Sequence, residues 1–112
     1  MDVRKIGKGV MLSVIVSGMV TVVTTPVYAA DGKAVYEKTC KLCHGGGIAG
    51  APVAGNATAW HDRIAQGKEV LYEHAINGFR GKGLMPAKGG NKKLTDDEVK
   101  AAVDYLLQLV EK

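Results

Sequence analysis

The sequence predicts an all-α domain, small, with short helices separated by glycine-rich loops. Three observations carry that prediction. Apolar residues recur at helical spacing, most clearly Val99, Val103, Leu106 and Val110 near the C-terminus. Glycine makes up 15 of the 112 residues and collects between the periodic stretches, where it interrupts helices. Finally, no alternating apolar–polar run, internal repeat or low-complexity tract points to strands or to a repeat architecture. One Phe, one Trp and four Tyr are little material for a core. A chain this small needs a further staple or an apolar guest to stabilise it.

The first 29 residues read as a secretory signal peptide. Arg4, Lys5 and Lys8 form a positive start, residues 10–23 are mostly apolar, and Val27-Tyr28-Ala29 supplies a small-residue cleavage signal. The apolar run is short for a membrane span, so cleavage after Ala29 is expected; an uncleaved N-terminal anchor is the alternative. Residues 30–112 then form one domain. The net charge of the whole chain is +4, and the leader carries part of that excess. Neither a basic stripe nor interleaved aromatics suggests nucleic-acid binding.

Along the domain, a short helix is expected over 31–39, with Asp31 as N-cap and Val35 and Tyr36 on its apolar face. Residues 45–56, with five glycines and Pro52, read as loop. Short helices follow over 60–66, closed by Gly67, and over 68–77, closed by Gly78. Residues 78–94 read as a second loop. Thr95-Asp96-Asp97-Glu98 is a capping box that opens the last helix.

The chemistry lies in Cys40-Lys41-Leu42-Cys43-His44, the C-x-x-C-H pattern of covalent c-type haem attachment. Thiols three residues apart on a helix project to one side, so both can add to the vinyl groups of one porphyrin. His44 then faces the iron as proximal ligand. Two other uses of a cysteine pair compete. A thioredoxin-like dithiol follows a strand, and no strand-like run precedes Cys40. A zinc finger expects histidines three to five residues apart, whereas His61 and His74 are widely separated.

With these elements in place, the chain resembles a class I monohaem cytochrome c, most closely the small bacterial cytochrome c5 type. The likeness spans essentially all of residues 30–112. It is carried by the haem motif, Ala51-Pro52, Trp60 with Arg63 and Ile64, Gly78-Phe79, Met85-Pro86-Ala87-Lys88-Gly89-Gly90-Asn91 and Leu94 through Val99. Many c5-type proteins hold an extra disulfide; Cys40 and Cys43 are the only cysteines here, so that staple is not expected.

The resemblance implies one haem c wrapped by the helices and closed on its sixth position by a methionine. Met85 is the only methionine outside the leader. A lone Met is ordinarily a core filler, but one in a Gly/Lys/Pro loop is badly placed for that. Thioether ligation favours reduced iron and raises the potential. His74 on an apolar helical face is the competing ligand. By the same resemblance the Pro52 carbonyl accepts from the His44 Nδ1–H. Trp60 and Arg63 lie near the propionates, where an indole N–H and a guanidinium would each hold a carboxylate. Gly32 and Tyr36 meet Tyr105 where the terminal helices cross.

The expected function follows from both axial sites being filled. With no open position the protein is a periplasmic one-electron carrier and not an enzyme, taking no small-molecule substrate. Its partners would be redox proteins: a quinol-oxidising donor and a terminal oxidase or reductase. Arg80, Lys82, Lys88, Lys92 and Lys93 would steer an acidic partner, or simply solvate their loop. Two alternatives remain: a haem enzyme or sensor of peroxide, NO or CO with a labile Met85, and a haem subunit of a larger respiratory complex.

Overall fold

A computed structural model describes residues 17–21 and 30–111. Apart from 17–21, which carry no helix or strand, the expected signal peptide lies outside the described residues. Among those described, no helix is long and apolar enough to cross a membrane.

The Asp31 carboxylate accepts the Ala34 N–H at 3.2 Å and starts α1, Gly32–Val35. The helical run does not end at residue 39, the bound expected from the sequence. Over Tyr36–Cys40 the turns widen, the Lys41 N–H reaching the Tyr36 carbonyl five residues back, and the helix tightens again as α2, Lys41–His44. Wide turns of this kind recur at functional positions in helices. The cysteine motif therefore lies within the helical run and not after it. The physical reason is that no breaker occurs before Gly45.

The expected loop over 45–56 holds one tight turn, Ile48–Gly50. Asn56 then caps α3, Ala57–Ile64, by accepting the Ala59 N–H at 3.2 Å. This cap starts the helix three residues earlier than the apolar pattern at Trp60 suggested. Helix α4, Lys68–Asn77, has the expected bounds. The next stretch departs from expectation. Within the supposed loop, β1, Phe79–Gly81, and β2, Gly83–Met85, pair antiparallel, with Phe79 opposite Met85 and Arg80 opposite Leu84. Strands of three residues, each with one glycine at the end nearest the turn, are too short to show alternation in sequence.

Two close approaches set how these pieces assemble. Helix α5, Asp96–Val110, opens with the predicted capping box and crosses α1. A Cβ at Gly32 would lie 2.0 Å from the Ala101 carbonyl oxygen, so only glycine lets the backbones meet. The Tyr36 and Tyr105 rings pack beside that crossing with centroids 5.3 Å apart. Similarly, a Cβ on Gly50 would meet the Gly83 Cα at 2.7 Å, bringing the 48–50 turn onto the hairpin. Buried Leu71, Ala75, Val99 and Val103 form the α4–α5 core, and Tyr36, Trp60 and Leu106 form a second cluster. Between them a cleft remains.

Candidate haem site

The cleft is lined by side chains of every helix and of the hairpin, and most are apolar: Val35, Leu71, Ala75, Val99, Val103 and Leu106 among them. Cys40, Cys43 and His44 enter it from the end of the first helical run. Both cysteines are free and half-buried. Burial pushes the Cys40 thiol up to about 11. A thiol that holds its proton this firmly is not an activated dithiol nucleophile. It remains a source of a thioether sulfur.

His44 is 8% exposed and is tied down on two sides. Its Nδ1 donates to the Pro52 carbonyl at 2.9 Å, and the Ala54 N–H donates to the His44 carbonyl at 2.7 Å. Because a carbonyl only accepts, the Nδ1 carries the proton and Nε2 keeps its lone pair. Burial lowers the imidazole's affinity for a second proton; the Pro52 bond opposes this and the Arg63 charge adds to it. A neutral imidazole with one fixed free nitrogen is the form that ligates a metal.

Trp60, 5% exposed, stacks on His44 with ring centroids 5.7 Å apart. Its indole N–H donates to the Val53 carbonyl at 2.9 Å. This departs from the expected role at a carboxylate. The only polar atom of the ring is already spent, and the side chain acts as a wall and a strap. Three consecutive residues, Pro52, Val53 and Ala54, are thus bonded to either His44 or Trp60. Sequence reasoning missed Val53, because a backbone carbonyl carries no residue signature.

Met85 lines the same cleft from β2 and packs against Leu71, Ala75, Val99 and Val103. Pro86 follows it in extended conformation, and Lys88 and Gly89 then turn with left-handed φ of 55° and 63°. Lys88 is not part of a free basic rim: its ammonium reaches the Leu94 carbonyl at 2.8 Å and Asp96 at 3.1 Å. Arg63, also in the lining, donates to the Lys82 carbonyl at 2.9 Å and keeps further N–H groups. His74 lines the cleft as well, its ring against Phe79 at 4.8 Å. His61 is exposed beside Asp62.

The donors present suit an iron porphyrin and do not suit a bare ion. Among the described residues there is no cluster of three or more His, Cys, Asp or Glu that would hold a metal. One imidazole and one thioether are too few donors for a bare ion, whereas a macrocycle would bring its own. The apolar lining matches its flat face, and the cysteine pair matches its two vinyl groups. A helical fold with two thiols and an imidazole converging on such a cleft is that of a c-type cytochrome.

Comparison with known proteins agrees. The profile of the family described as cytochrome c oxidase, cbb3-type, subunit III, matches residues 28–106. Cytochrome c-555 of Chlorobaculum tepidum is 52% identical over 80 residues, covering 70% of this chain and 74% of that one. Cytochrome c5 of Azotobacter vinelandii is 39% identical over 75 residues, covering 67% and 89%. Among solved structures, a cytochrome c in an electron-transfer complex with nitrite reductase is similar at TM-score 0.63 and 34% identity, covering 71% of this chain and 94% of that one. A monohaem ferrocytochrome c from Shewanella putrefaciens is similar at TM-score 0.57 and 36% identity, covering 68% and 90%. The chain belongs to the class I monohaem cytochromes c, with the c5 type among its relatives, and carries one covalently attached haem c with its iron.

Proposed function

We propose that this cytochrome is an exported one-electron carrier with His44 and Met85 as axial ligands of the haem iron. Cys40 and Cys43 hold the thioether bonds in this reading, while Pro52, Trp60 and Arg63 shape the pocket. The observation that carries it is that His44 and Met85, from segments remote in sequence, line one apolar cleft beside the cysteine pair. When bound, the haem supplies a single redox-active iron that cycles between ferric and ferrous states.

The chain's own part is positional. The Pro52 carbonyl holds the His44 imidazole in one tautomer and one orientation. Packing of Met85 on the α4–α5 core places its sulfur without a covalent tether. With both axial sites occupied, no substrate position is left and the protein passes electrons without catalysing a reaction. The leader over 1–29 supports export and a periplasmic location, cleavage after Ala29 releasing the domain.

Redox proteins are the partners in this reading: a quinol-oxidising donor and a terminal oxidase or reductase. The nitrite reductase complex of the structural relative supports a protein acceptor. Exposed Leu42 and Leu84 at the cleft mouth, with Arg80, Lys82, Lys92 and Lys93 exposed nearby in sequence, offer an apolar contact with basic steering. Lys88 drops out of that set.

The test is optical. Oxidised holoprotein purified from periplasm is expected to show the long-wavelength sulfur-to-iron charge-transfer band, and reduced protein to bind CO slowly. No band, with rapid CO binding, would favour a haem enzyme or gas sensor with a labile Met85. The family profile's description favours one further reading, a haem subunit of a larger respiratory complex. Gel filtration of native extract separates it: the carrier elutes at the size of one small domain.

A further inference from the structure

Lys88 holds a backbone conformation that a side chain disfavours. Its φ of 55° is left-handed, the region that glycine adopts freely, and Gly89 and Gly90 stand right beside it. A Cβ-bearing residue there is strained, and such strain persists only where the surroundings hold it. Two bonds do so. The Lys88 ammonium donates to the Leu94 carbonyl at 2.8 Å and pairs with Asp96 at 3.1 Å. Both partners lie at the start of α5, where the helix dipole disfavours a cation, so the dipole does not draw the ammonium there. The Lys88 side chain is only 23% exposed, which limits the competition from water.

Residues 86–91 form a strap of consecutive tight turns. The Gly89 N–H donates to the Pro86 carbonyl at 3.0 Å, and the Asn91 N–H donates to the Lys88 carbonyl at 3.1 Å. On one side the strap lies against the first helical run. A Cβ on Gly89 would come within 3.1 Å of Thr39 Cγ2, one residue before Cys40. It also crosses the end of α4, where a Cβ on Gly78 would lie 3.2 Å from the Met85 carbonyl oxygen and from the Ala87 nitrogen. Both are packing contacts. Among the described residues, the Lys88 ammonium makes the strap's only side-chain bond to a helix.

Resting on the ligation of iron by Met85, we propose that Lys88 is a positioning residue. Its clasp onto α5 holds the strap shut and sets how often the Met85 sulfur leaves the sixth iron position. Pro86 fixes its own φ and restricts the residue before it, so movement of the strap is passed directly to Met85. Loss of the ammonium leaves a strained turn held by packing alone. The strap then opens more often, while Cys40, Cys43 and His44 on the opposite wall keep their attachments.

The test is the rate of CO uptake by the reduced holoprotein. Uptake scales with the fraction of molecules in which the sixth position is open. K88A keeps the Cβ, and with it the strain, but deletes the ammonium. It is expected to take up CO about tenfold faster than wild type while retaining covalent haem and the sulfur-to-iron band. D31A removes the cap of α1 and serves as the control for lost stability; its uptake is expected to match wild type. Uptake by K88A at the wild-type rate, or equal acceleration in D31A, overturns the proposal. Should K88A hold no haem, D96N decides. It is expected to accelerate uptake by a smaller factor, since the Leu94 carbonyl still holds the ammonium, and no acceleration overturns the proposal. A wild type without the sulfur-to-iron band refutes Met85 ligation and the clasp together. A wild type with the band and an unaffected K88A refutes only the role of Lys88.

Discussion

The two walls that present the proposed iron ligands are built by opposite means. His44 sits in a polar harness: one bond from its ring to Pro52, one from Ala54 to its backbone, and a Trp60 wall that is itself bonded to Val53. The Met85 side chain has no polar attachment among the described residues. It is placed by a hairpin of two three-residue strands and by apolar packing on α4 and α5. Hydrogen bonds fix direction, whereas packing fixes volume and leaves rotation softer. The difference teaches that the histidine wall sets how the cofactor is held, and the methionine wall sets how firmly the remaining iron position is closed.

The largest effect should come from setting the walls against each other. H44A is expected to leave no stable holoprotein, because it removes a ligand and empties the harness at once. M85A is expected to retain covalent haem yet lose the sulfur-to-iron band and bind CO rapidly. Haem staining on a denaturing gel beside CO-binding rates measures both. Equal loss of haem in the two variants would mean the walls are not different in kind.

A smaller effect probes the harness alone. W60F keeps most of the ring and deletes the bond to Val53, whose half-buried carbonyl keeps the Asn56 N–H as its other donor. The expected loss is about 1.5 kcal/mol of holoprotein stability, read by denaturant titration of the reduced state. No loss would place Trp60 as filler.

Smallest is a change remote from both walls. T95A removes the cap of α5, which is expected to cost about 1 kcal/mol. Hydrogen bonding from Thr95 holds the Glu98 carboxyl below its ordinary value. A lowered folded-state value means that this contribution is complete above the ordinary glutamate value of about 4.3 and is lost as pH falls through the lowered one. Its largest cause is the backbone N–H of residue 95, which T95A retains, so wild type and T95A should both lose this contribution in acid and the gap between their melting temperatures should change little. It should not close, since the Thr95 hydroxyl still accepts the Glu98 N–H.

Much of this organisation was legible before folding. Asp31 and Thr95 announced two helix starts through side chains that bond their own backbone, and Lys68–Asn77 was bounded by glycines. Such signals are local, so they survive in one dimension. The extension of the first helix through His44 and the cap at Asn56 were missed by weighting apolar pattern over the position of breakers and caps. The hairpin was missed because three residues are too few to alternate.

By itself the sequence determined the cofactor attachment: two cysteines and a histidine at fixed spacing, one methionine after residue 29, and too few aromatics for an unaided core. Covalent chemistry depends on residue identity and short spacing, which sequence records directly. The tertiary structure decided who assists. It spent the Trp60 N–H on Val53, drew Lys88 away to Leu94 and Asp96, and set His74 beside Phe79 at the cleft wall. Those assignments turn on backbone carbonyls and on contacts between remote segments. Carbonyls are alike at every residue, and only the fold determines which one lies within reach of a donor.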